Sequence, residues 1–311
     1  MTRLLIADDG SDAARAATAV AAELYPGATA VVATVHAPAP TLESAAIARV
    51  ALPDAMIREG VERMQAEAGD AARATAEAGA ERARAAGLDA TPRVLAHPSA
   101  WRALRAEAAD GDADVLVCGT RGPGPLERTL IGSTASSLLH HAERPLLVVP
   151  AGGQALEGPV VAGYDESDGA RAALRFAAGH LAARPLIVAT GWRSPTRHSL
   201  RGHALARSGV ETLEDYAQTV DTIWREVAAD RAEDGAAYAR DLGLDARAAV
   251  PESGHGEWQA LLAGAQDAGA AAILVGSRGR GAITSTVLGS VASGLVHAAA
   301  LPVIVVPSVG A

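Results

Sequence analysis

The chain contains an internal repeat, which limits the folds that it can adopt. Residues Gly119–Pro150 match Gly276–Pro307 at an offset of 157 residues, with 16 identities in 32 ungapped positions. A repeat of this length corresponds to a whole domain rather than to a solenoid unit of about 20–50 residues. The total of 311 residues agrees with two domains of ordinary size. The sequence therefore predicts two tandem domains, 1–151 and 158–311, joined by a short linker that contains Gly and Pro.

Within each half, short apolar runs alternate with helical stretches. The predicted strands are Leu4–Ala7, Ala30–Val35, Val94–Ala96, Val115–Cys118 and Leu146–Val149, followed by Val160–Gly163, Leu186–Thr190, Ala246–Val250, Ile273–Val275 and Val303–Val306. The predicted helices are Asp12–Leu24, Asp54–Ala86, Ser99–Ala109, Ser133–Ala142, Ser167–Ala182, Val210–Asp241, His255–Asp267 and Ser290–Ala299. The apolar runs are continuous, as in parallel strands that helices cover on both faces. The pattern predicts two doubly wound α/β domains, each with a five-stranded parallel sheet.

Charge and composition exclude several classes of protein. The net charge is −9, whereas a nucleic-acid-binding protein needs clustered cations for its phosphate contacts. All 27 basic residues are Arg, and the chain has neither Lys nor Asn. This excludes a Walker-type lysine, a Schiff-base lysine, the kinase Lys/Asn pair and N-glycosylation. The single Cys118 permits no intrachain disulfide. With no signal-peptide pattern and no apolar run of ~20 residues, we expect a cytoplasmic protein without a membrane partner.

Each half also has a glycine-rich loop after its fourth predicted strand. The loops read Gly119-x2-Gly122-x9-Gly132-Ser133 and Gly276-x2-Gly279-x9-Gly289-Ser290. In doubly wound sheets, ligands bind at the carboxyl ends of the strands, where the strand order reverses. Glycine lets the backbone approach a ligand closely, and the Gly-Ser step opens a helix whose unpaired N–H groups attract phosphate. The alternative to a phosphate-binding loop is a loop that needs glycine only for packing. Two copies with identical spacing argue against that alternative.

On these residues the chain resembles the universal stress proteins in their tandem-domain form, over essentially its whole length. The resemblance includes Asp9-Gly10-Ser11 after the first strand, varied to Asp165-Glu166-Ser167 in the second half. It also includes both glycine loops, whose G-x2-G-x9-G-[ST] pattern marks the ATP-binding branch of that family, and the closing Pro-Leu-Leu-Val-Val-Pro strand. The resemblance implies a Rossmann-like fold of the adenine nucleotide alpha hydrolase type. It also implies ATP, with or without Mg²⁺, as the ligand.

The family's binding roles carry over to matching positions of this sequence. The resemblance implies that Asp9 and Asp165 hold the ribose or the adenine edge, and that the backbone of Ala7 and Gly163 lines the adenine pocket. Val35, and its counterpart near Gly191, would contact the adenine. The residues implied to enclose the triphosphate are Gly119, Arg121, Gly122, Gly132, Ser133 and Thr134 in the first half, and Gly276, Arg278, Gly279, Gly289, Ser290 and Val291 in the second.

Two departures from the family pattern affect these sites. Pro123 and Pro125 remove N–H donors from the first loop, so its phosphate cradle is poorer than that of the second. Glu166 replaces the glycine beside Asp165, which adds bulk and negative charge near the ribose side of the second pocket. We therefore expect at least one site to bind nucleotide, and not necessarily both.

Other notable residues are assigned packing or surface roles. They are Cys118, His140 and His297, and Trp101 and Trp258, with a phosphate-sensing or acid–base role as the alternative for the histidines. His140 lacks neighbours at metal-ligand spacing, so no metal site is predicted. The stretch Arg193–Arg207 is predicted to be a solvated loop, with a lid over bound phosphates as the alternative. The long helices 57–86 and 212–240 are scaffold or a partner surface.

The leading hypothesis is a nucleotide-dependent stress sensor or switch that binds ATP. The resemblance implies that the two domains pair through their last strands as an internal pseudo-dimer, and two chains could pair further to form a homodimer. Slow ATP hydrolysis or autophosphorylation on Ser133 or Ser290 is conceivable, but no residue supplies a clear general base, so dedicated catalysis is not expected.

Two alternatives belong to other functional classes. The first is a stress-response scaffold that binds no nucleotide and acts through protein partners. The second is an adenylating ligase, which requires an S-G-G-x-D-S loop after the first strand. Asp9-Gly10-Ser11-Asp12 and Asp165-Glu166-Ser167-Asp168 are not that loop, which argues against the ligase.

Overall fold

The computed structural model describes residues 1–38, 54–120, 131–141, 143–153, 157–194, 210–279 and 288–308. The chain divides into two compact units, Met1–Gly153 and Gln154–Ala311. Within these described ranges, each unit contains five parallel strands and their connecting helices. The predicted fold class, two tandem doubly wound parallel sheets, is confirmed.

Unit 1 contains strands β1 to β5 and helices α1 to α4. Its strands are Arg3–Ala7, Thr29–His36, Asp89–Ala96, Val115–Gly119 and Leu146–Val149. Its helices are Asp12–Leu24, Asp54–Ala85, Ala100–Asp110 and Ser133–His141. The strand order is β3-β2-β1-β4-β5, so the direction in which strands are added reverses at β1.

Unit 2 repeats this arrangement with β6 to β10 and α5 to α8. Its strands are Val160–Gly163, Leu186–Ala189, Ala246–Ala249, Ala272–Gly276 and Val303–Val306. Its helices are Asp168–His180, Val210–Asp241, Glu257–Asp267 and Ser290–Ala298. The strand order is β8-β7-β6-β9-β10, which places the reversal at β6.

The local sequence explains why the central strands and the first helix of each unit form where they do. Strands β5, β6 and β10 are apolar throughout, and all but the terminal Gly163 of β6 are buried. Each first helix begins after a serine: Ser11 Oγ accepts a hydrogen bond from the Ala14 N–H at 3.2 Å, and Ser167 Oγ accepts one from the Ala170 N–H at 3.1 Å. These serine caps satisfy backbone donors that the helix leaves unpaired, and they fix the turn that follows β1 and β6.

The main correction to the predicted elements concerns β3. The sequence predicts Val94–Ala96, but β3 extends over Asp89–Ala96 and pairs with β2 along all eight residues. The first five residues of β3 contain no continuous apolar run. The strand lies at the edge of the sheet, and several of these side chains are exposed. Pro92 is compatible with an edge strand, which has one row of N–H groups without a ladder partner. Most other predicted boundaries differ by two residues or fewer.

Candidate functional site

Unit 2 contains a cavity of about 600 Å³ at the carboxyl ends of β6, β7 and β9. This is where the strand order reverses, the usual ligand position in doubly wound sheets, and the volume suits a small-molecule ligand. The lining residues are Gly163, Tyr164, Asp165, Ser167, Ala170, Ala189, Thr190, Gly191, Arg231, Glu257, Leu261, Val275, Gly276, Arg278, Gly279, Leu288, Gly289, Ser290, Val291 and Ala292.

The cavity brings together the whole set of ligand residues that the sequence predicts in the second half. Those residues are Gly163, Asp165, Gly276, Arg278, Gly279, Gly289, Ser290 and Val291. Gly191, near which the sequence places the counterpart of Val35, lines the same cavity. Residues that lie more than 120 positions apart in the chain therefore form a single concave surface.

Glycine is required in the loop after β9 because other backbone and side-chain atoms approach it closely. A Cβ atom on Gly276 would lie 2.5 Å from the carbonyl carbon of Gly169, at the start of α5. A Cβ atom on Gly279 would lie 2.5 Å from Oδ2 of Asp165. Both distances are shorter than real Cβ contacts. A side chain at Gly276 would push the backbone away from α5, and one at Gly279 would displace the Asp165 carboxylate or the loop.

The same loop leads to the N-terminus of α8. The Gly289 N–H donates to the Ser277 carbonyl at 2.8 Å, and the Ser293 N–H makes the first helical bond to the Gly289 carbonyl at 2.9 Å. The N–H groups of the first helical turn have no acceptor within the helix, and they carry the positive end of its dipole. Because Ser290 and Val291 line the cavity, this helix end faces the space where an anion could bind.

A fixed carboxylate lies after β6. Oδ1 of Asp165 accepts hydrogen bonds from the Ser167 N–H at 3.1 Å and from the Ser167 hydroxyl at 2.5 Å. These bonds hold the carboxylate at the cavity wall, close to Gly279 of the glycine loop. The side chain is therefore positioned to accept a hydrogen bond from a ligand hydroxyl.

Away from α8, the cavity is lined by the aliphatic side chains of Ala189, Leu261 and Val275, together with Thr190 and Glu257. A Cβ atom on Gly163 would lie 2.9 Å from Leu261 Cδ1 and 3.1 Å from Val275 Cγ1, so α7 approaches the end of β6 very closely. Gly191, after β7, is equally close to α7, because its Cβ would lie 2.8 Å from the carbonyl oxygen of Glu257. The result is a slot with aliphatic walls beside the ends of β6 and β7.

Glu166 has a strained backbone in unit 2. Its φ is 65°, in the left-handed region, and the corresponding Gly10 of unit 1 has a φ of 77°. Oε2 of Glu166 lies 3.3 Å from Nε of Arg231, which projects from α6 and lines the cavity. Sequence reasoning identified Glu166 but missed Arg231, because α6 is far from either glycine loop in the sequence.

In unit 1, the predicted residues at the ends of β1 and β2 occupy corresponding positions. Ala7 ends β1 and Val35 is the penultimate residue of β2, and both are half-buried. Asp9 is exposed, and its Oδ1 accepts a hydrogen bond from the Ser11 N–H at 3.0 Å. This bond matches the one that Asp165 makes in unit 2.

The unit 1 glycine loop has the same two ends as its counterpart. A Cβ atom on Gly119 would lie 2.7 Å from Cβ of Ala13, at the start of α1. The Gly132 N–H donates to the Thr120 carbonyl at 2.5 Å, as Gly289 does to Ser277. Ser133 and Thr134 then begin α4. The loop residues Arg121, Gly122, Pro123 and Pro125 lie outside the described residues, so the predictions for them stay predictions.

Sequence reasoning missed a buried ion pair in unit 1. The Asp8 side chain is fully buried; its Oδ2 lies 2.7 Å from Nη2 of Arg82, and its Oδ1 accepts a hydrogen bond from the Gly10 N–H at 2.8 Å. Gly79, one turn before Arg82 on α2, leaves room for this carboxylate. The pair fixes the turn that carries Asp9.

In unit 2 a tyrosine takes the position of Asp8. Tyr164 is buried, and a Cβ atom on Gly235 would lie 2.6 Å from its ring. A hydrogen bond with Tyr164 is the main reason that the pKa of the exposed Arg171 guanidinium is raised. Asp8 and Tyr164 directly precede the corresponding Asp9 and Asp165, at an offset of 156 rather than 157 residues, and because their residue types differ, the repeat alone does not show that they correspond.

Among the other residues noted from the sequence, Cys118 and the two tryptophans pack against the scaffold, whereas His140 and His297 are exposed. Cys118 is buried, as predicted, and burial raises the pKa of its thiol to about 12. Trp101 stacks on His141 with ring centroids 4.7 Å apart, whereas Trp258 packs over Gly294. The structure describes only the first two residues of Arg193–Arg207, so the role of that stretch stays a prediction.

Two features are absent from the residues that the structure describes. No group of three or more His, Cys, Asp or Glu side chains there is arranged to hold a metal ion. In that same part of the chain, no helix combines the length and the apolar character needed to cross a membrane.

Comparison with known proteins gives consistent matches. The universal stress protein family model matches residues 1–150 and again 158–307. A universal stress protein of Mycolicibacterium smegmatis is 32% identical over 203 residues, which are 64% of this chain and 63% of that protein. One of Mycobacterium bovis is 30% identical over 202 residues, 62% of each chain. The matched region thus spans less than two thirds of these relatives.

A solved structure extends the similarity to the fold of the whole chain. The match to the crystal structure of a universal stress protein from Archaeoglobus fulgidus includes 98% of this chain and 98% of that chain, with a TM-score of 0.60 and 18% sequence identity. At this level of identity the likeness concerns the fold alone. The two matches to the family model account for nearly all of the sequence. The chain therefore belongs to the universal stress protein family and carries two copies of its domain.

Proposed function

We propose that the unit 2 cavity binds an adenine nucleotide, ATP above all, and that the protein acts as a nucleotide-dependent stress sensor or switch. The observation that carries the proposal is the convergence of all eight sequence-predicted ligand residues of the second half on one cavity of about 600 Å³. The proposal also takes the functional domains to be 1–151 and 158–311.

The two ends of the cavity match the two chemical parts of a nucleotide. The glycine loop and the first turn of α8 offer backbone N–H groups, the Ser290 hydroxyl and the Arg278 guanidinium to a phosphate chain. The aliphatic slot between α7 and the ends of β6 and β7 suits a flat base, and Asp165 lies between the two ends with an acceptor for a ribose hydroxyl. Without lysine, the phosphates depend on these groups, which favours holding a nucleotide over transferring its phosphate.

Native mass spectrometry and titration calorimetry with ATP test this proposal. We expect the full chain to bind ATP, and Gly279→Val to weaken binding to unit 2 at least tenfold, because the new Cβ would contact the Asp165 carboxylate. Gly254→Val is the matched control, since a Cβ at Gly254 meets no atom within 4 Å. Absence of ATP binding to the unmodified chain would contradict the proposal.

Unit 1 is proposed as a weaker second site. It retains Asp9, Gly119, Gly132 and Ser133 in matching positions, but its loop contains Pro123 and Pro125, which have no N–H to donate. The calorimetric stoichiometry of the Gly279→Val chain measures this site directly. A residual weak binding event is expected.

One observation favours the scaffold alternative as a second candidate. Ile223, Trp224 and Val227 form a cluster of exposed large apolar side chains on α6, and Trp224 is 57% exposed. Such clusters are common at protein-binding surfaces. If this function dominates, Trp224→Ala abolishes the stress phenotype in cells, whereas Gly279→Val leaves it unchanged; the sensor proposal predicts the reverse.

The remaining parts of the proposal rest on the sequence and on the family resemblance. They are a cytoplasmic location, pairing of two chains in solution, and no dedicated catalysis beyond slow ATP hydrolysis or autophosphorylation. Sedimentation velocity with and without ATP checks the pairing, and phosphate release under single-turnover conditions checks the hydrolysis.

A further inference from the structure

The base end of the unit 2 cavity has a charged residue that none of the preceding roles uses. Glu257 is the first residue of α7; it is exposed and it lines the cavity. Its main chain lies against Gly191, where only the lack of a side chain permits the approach of α7 to the end of β7. Glu257 therefore lies where the cavity borders the end of β7.

The topology separates this residue from the phosphate cradle. The cradle follows β9, and Gly191 follows β7, with β6 between them. Neighbouring strands lie ~4.8 Å apart, so the two ends of the cavity are separated by about 10 Å. A nucleotide whose phosphates lie at Gly279 and Ser290 therefore extends its base towards Gly191 and Glu257.

We propose that Glu257 reads the base, accepting a hydrogen bond from the exocyclic amino group of adenine and so selecting 6-amino purines over 6-oxo purines. An ionised carboxylate is an acceptor only. It pairs with the amino group of adenine and repels the carbonyl oxygen at the same position of hypoxanthine. This inference rests on the proposed nucleotide site and adds its base specificity.

The repeat provides an internal comparison. The residue of unit 1 at the same offset of 157 is Ala100, the first residue of α3, which has no acceptor to offer. The same helix start therefore carries a base-reading group in one unit and none in the other. The two sites consequently differ in base selectivity as well as in their phosphate loops.

Calorimetric titration of the full chain with ATP, ITP and inorganic tripolyphosphate at constant ionic strength tests the assignment. ITP differs from ATP in carrying oxygen in place of the amino group, and tripolyphosphate has no base. The unmodified chain should bind ATP roughly tenfold more tightly than ITP, as expected for one charge-assisted hydrogen bond at a partly solvated site. The unit 2 contribution is the part of the binding that Gly279→Val removes.

Two substitutions separate base reading from a structural role of Glu257 at the helix N-terminus. Glu257→Ala, the unit 1 residue, should lower the ATP-to-ITP affinity ratio to about threefold or less without changing the affinity for tripolyphosphate. Glu257→Gln should keep ATP affinity within about threefold and also lower the ratio, because an amide both accepts and donates hydrogen bonds. A purely structural role would weaken all three ligands in parallel and leave the ratio unchanged.

The outcomes distinguish this inference from the function on which it rests. If ATP binds and Gly279→Val removes that binding, but the ATP-to-ITP ratio is near one or does not respond to Glu257→Ala, the nucleotide site stands and base reading by Glu257 is wrong. If the unmodified chain binds neither ATP nor tripolyphosphate, the nucleotide site itself is wrong and Glu257 has no base to read. Circular dichroism of each variant verifies that the chain remains folded.

Discussion

At the level of single residues, the two units place different residue types at one turn position that requires a left-handed backbone. Gly10 and Glu166 follow corresponding aspartates, and both have a left-handed backbone. Glycine adopts this conformation without steric cost, whereas another residue pays about 1–2 kcal/mol. The ion pair of Glu166 with Arg231 offsets part of that cost, since a partly exposed pair contributes ~0.2–1 kcal/mol.

We therefore predict that glycine gives a more stable protein than alanine at this position in both units. Glu166→Ala keeps the left-handed strain and loses the ion pair, so its free energy of unfolding falls by about 0.5–1 kcal/mol. Glu166→Gly relieves the strain and should be more stable than Glu166→Ala by about 1 kcal/mol. Gly10→Ala should destabilise unit 1 by a similar ~1 kcal/mol. Urea denaturation measures all three.

The control for this comparison is a glycine without a left-handed backbone. Gly179, near the end of α5, has no atom within 4 Å of a built Cβ and no positive φ. Replacing it with alanine should stabilise the helix rather than weaken it. Equal stability of Glu166→Ala and Glu166→Gly would show that the backbone strain has no energetic weight.

At the scale of elements, the long helices α2 and α6 each contain one glycine that must remain glycine. Gly235 on α6 faces Tyr164, and Gly79 on α2 faces the buried Asp8 carboxylate. In a helix interior glycine normally costs ~1 kcal/mol relative to alanine. Close packing of the helix against the residue that precedes each predicted ligand-binding aspartate reverses this preference.

Glycine-to-alanine changes at two positions of the long helices should have opposite effects on stability. Gly235→Ala should lower the free energy of unfolding by about 1–3 kcal/mol, because its Cβ would lie 2.6 Å from the Tyr164 ring and 2.8 Å from Val188 Cγ1. Gly69→Ala on α2, where no atom lies within 4 Å, should raise it by about 0.5–1 kcal/mol. Thermal unfolding followed by calorimetry measures both. A destabilised Gly69→Ala would contradict the packing argument.

How much the sequence could predict depended on whether the evidence was local. The central strands are continuous apolar runs, and the glycine loops recur with identical residues at one offset, so both could be predicted. The first half of β3 could not be predicted, because its sequence has no apolar run and its strand structure depends on hydrogen bonds to β2. Arg231 and Arg82 could not be assigned to the sites either. They lie more than 60 residues from Glu166 and Asp8, and only the packing of α6 and α2 brings each pair together.

At the scale of the whole molecule, duplication has produced two units with the same fold and different sites. Unit 1 has the Asp8–Arg82 ion pair, Gly10 and Ala100 where unit 2 has Tyr164, Glu166 and Glu257. None of these differences changes the order of the strands. The fold is therefore maintained by the buried strands, and the residues at their carboxyl ends are free to diverge.

This divergence predicts that ATP will act unequally on the two halves of the chain. Ligand present at 100 times its dissociation constant stabilises the bound state by about 2.7 kcal/mol, so amides that exchange only from the free form should slow by up to ~100-fold. Hydrogen exchange read by mass spectrometry should show this protection around Gly276–Gly279 and in the first turn of α8, and less of it at Gly132–Thr134. The exposed stretch Ile223–Val227 of α6 provides an internal control that should not change. Gly279→Val should remove the unit 2 protection and preserve any in unit 1. Protection confined to unit 1 would mean that the unit 2 cavity is not the nucleotide site.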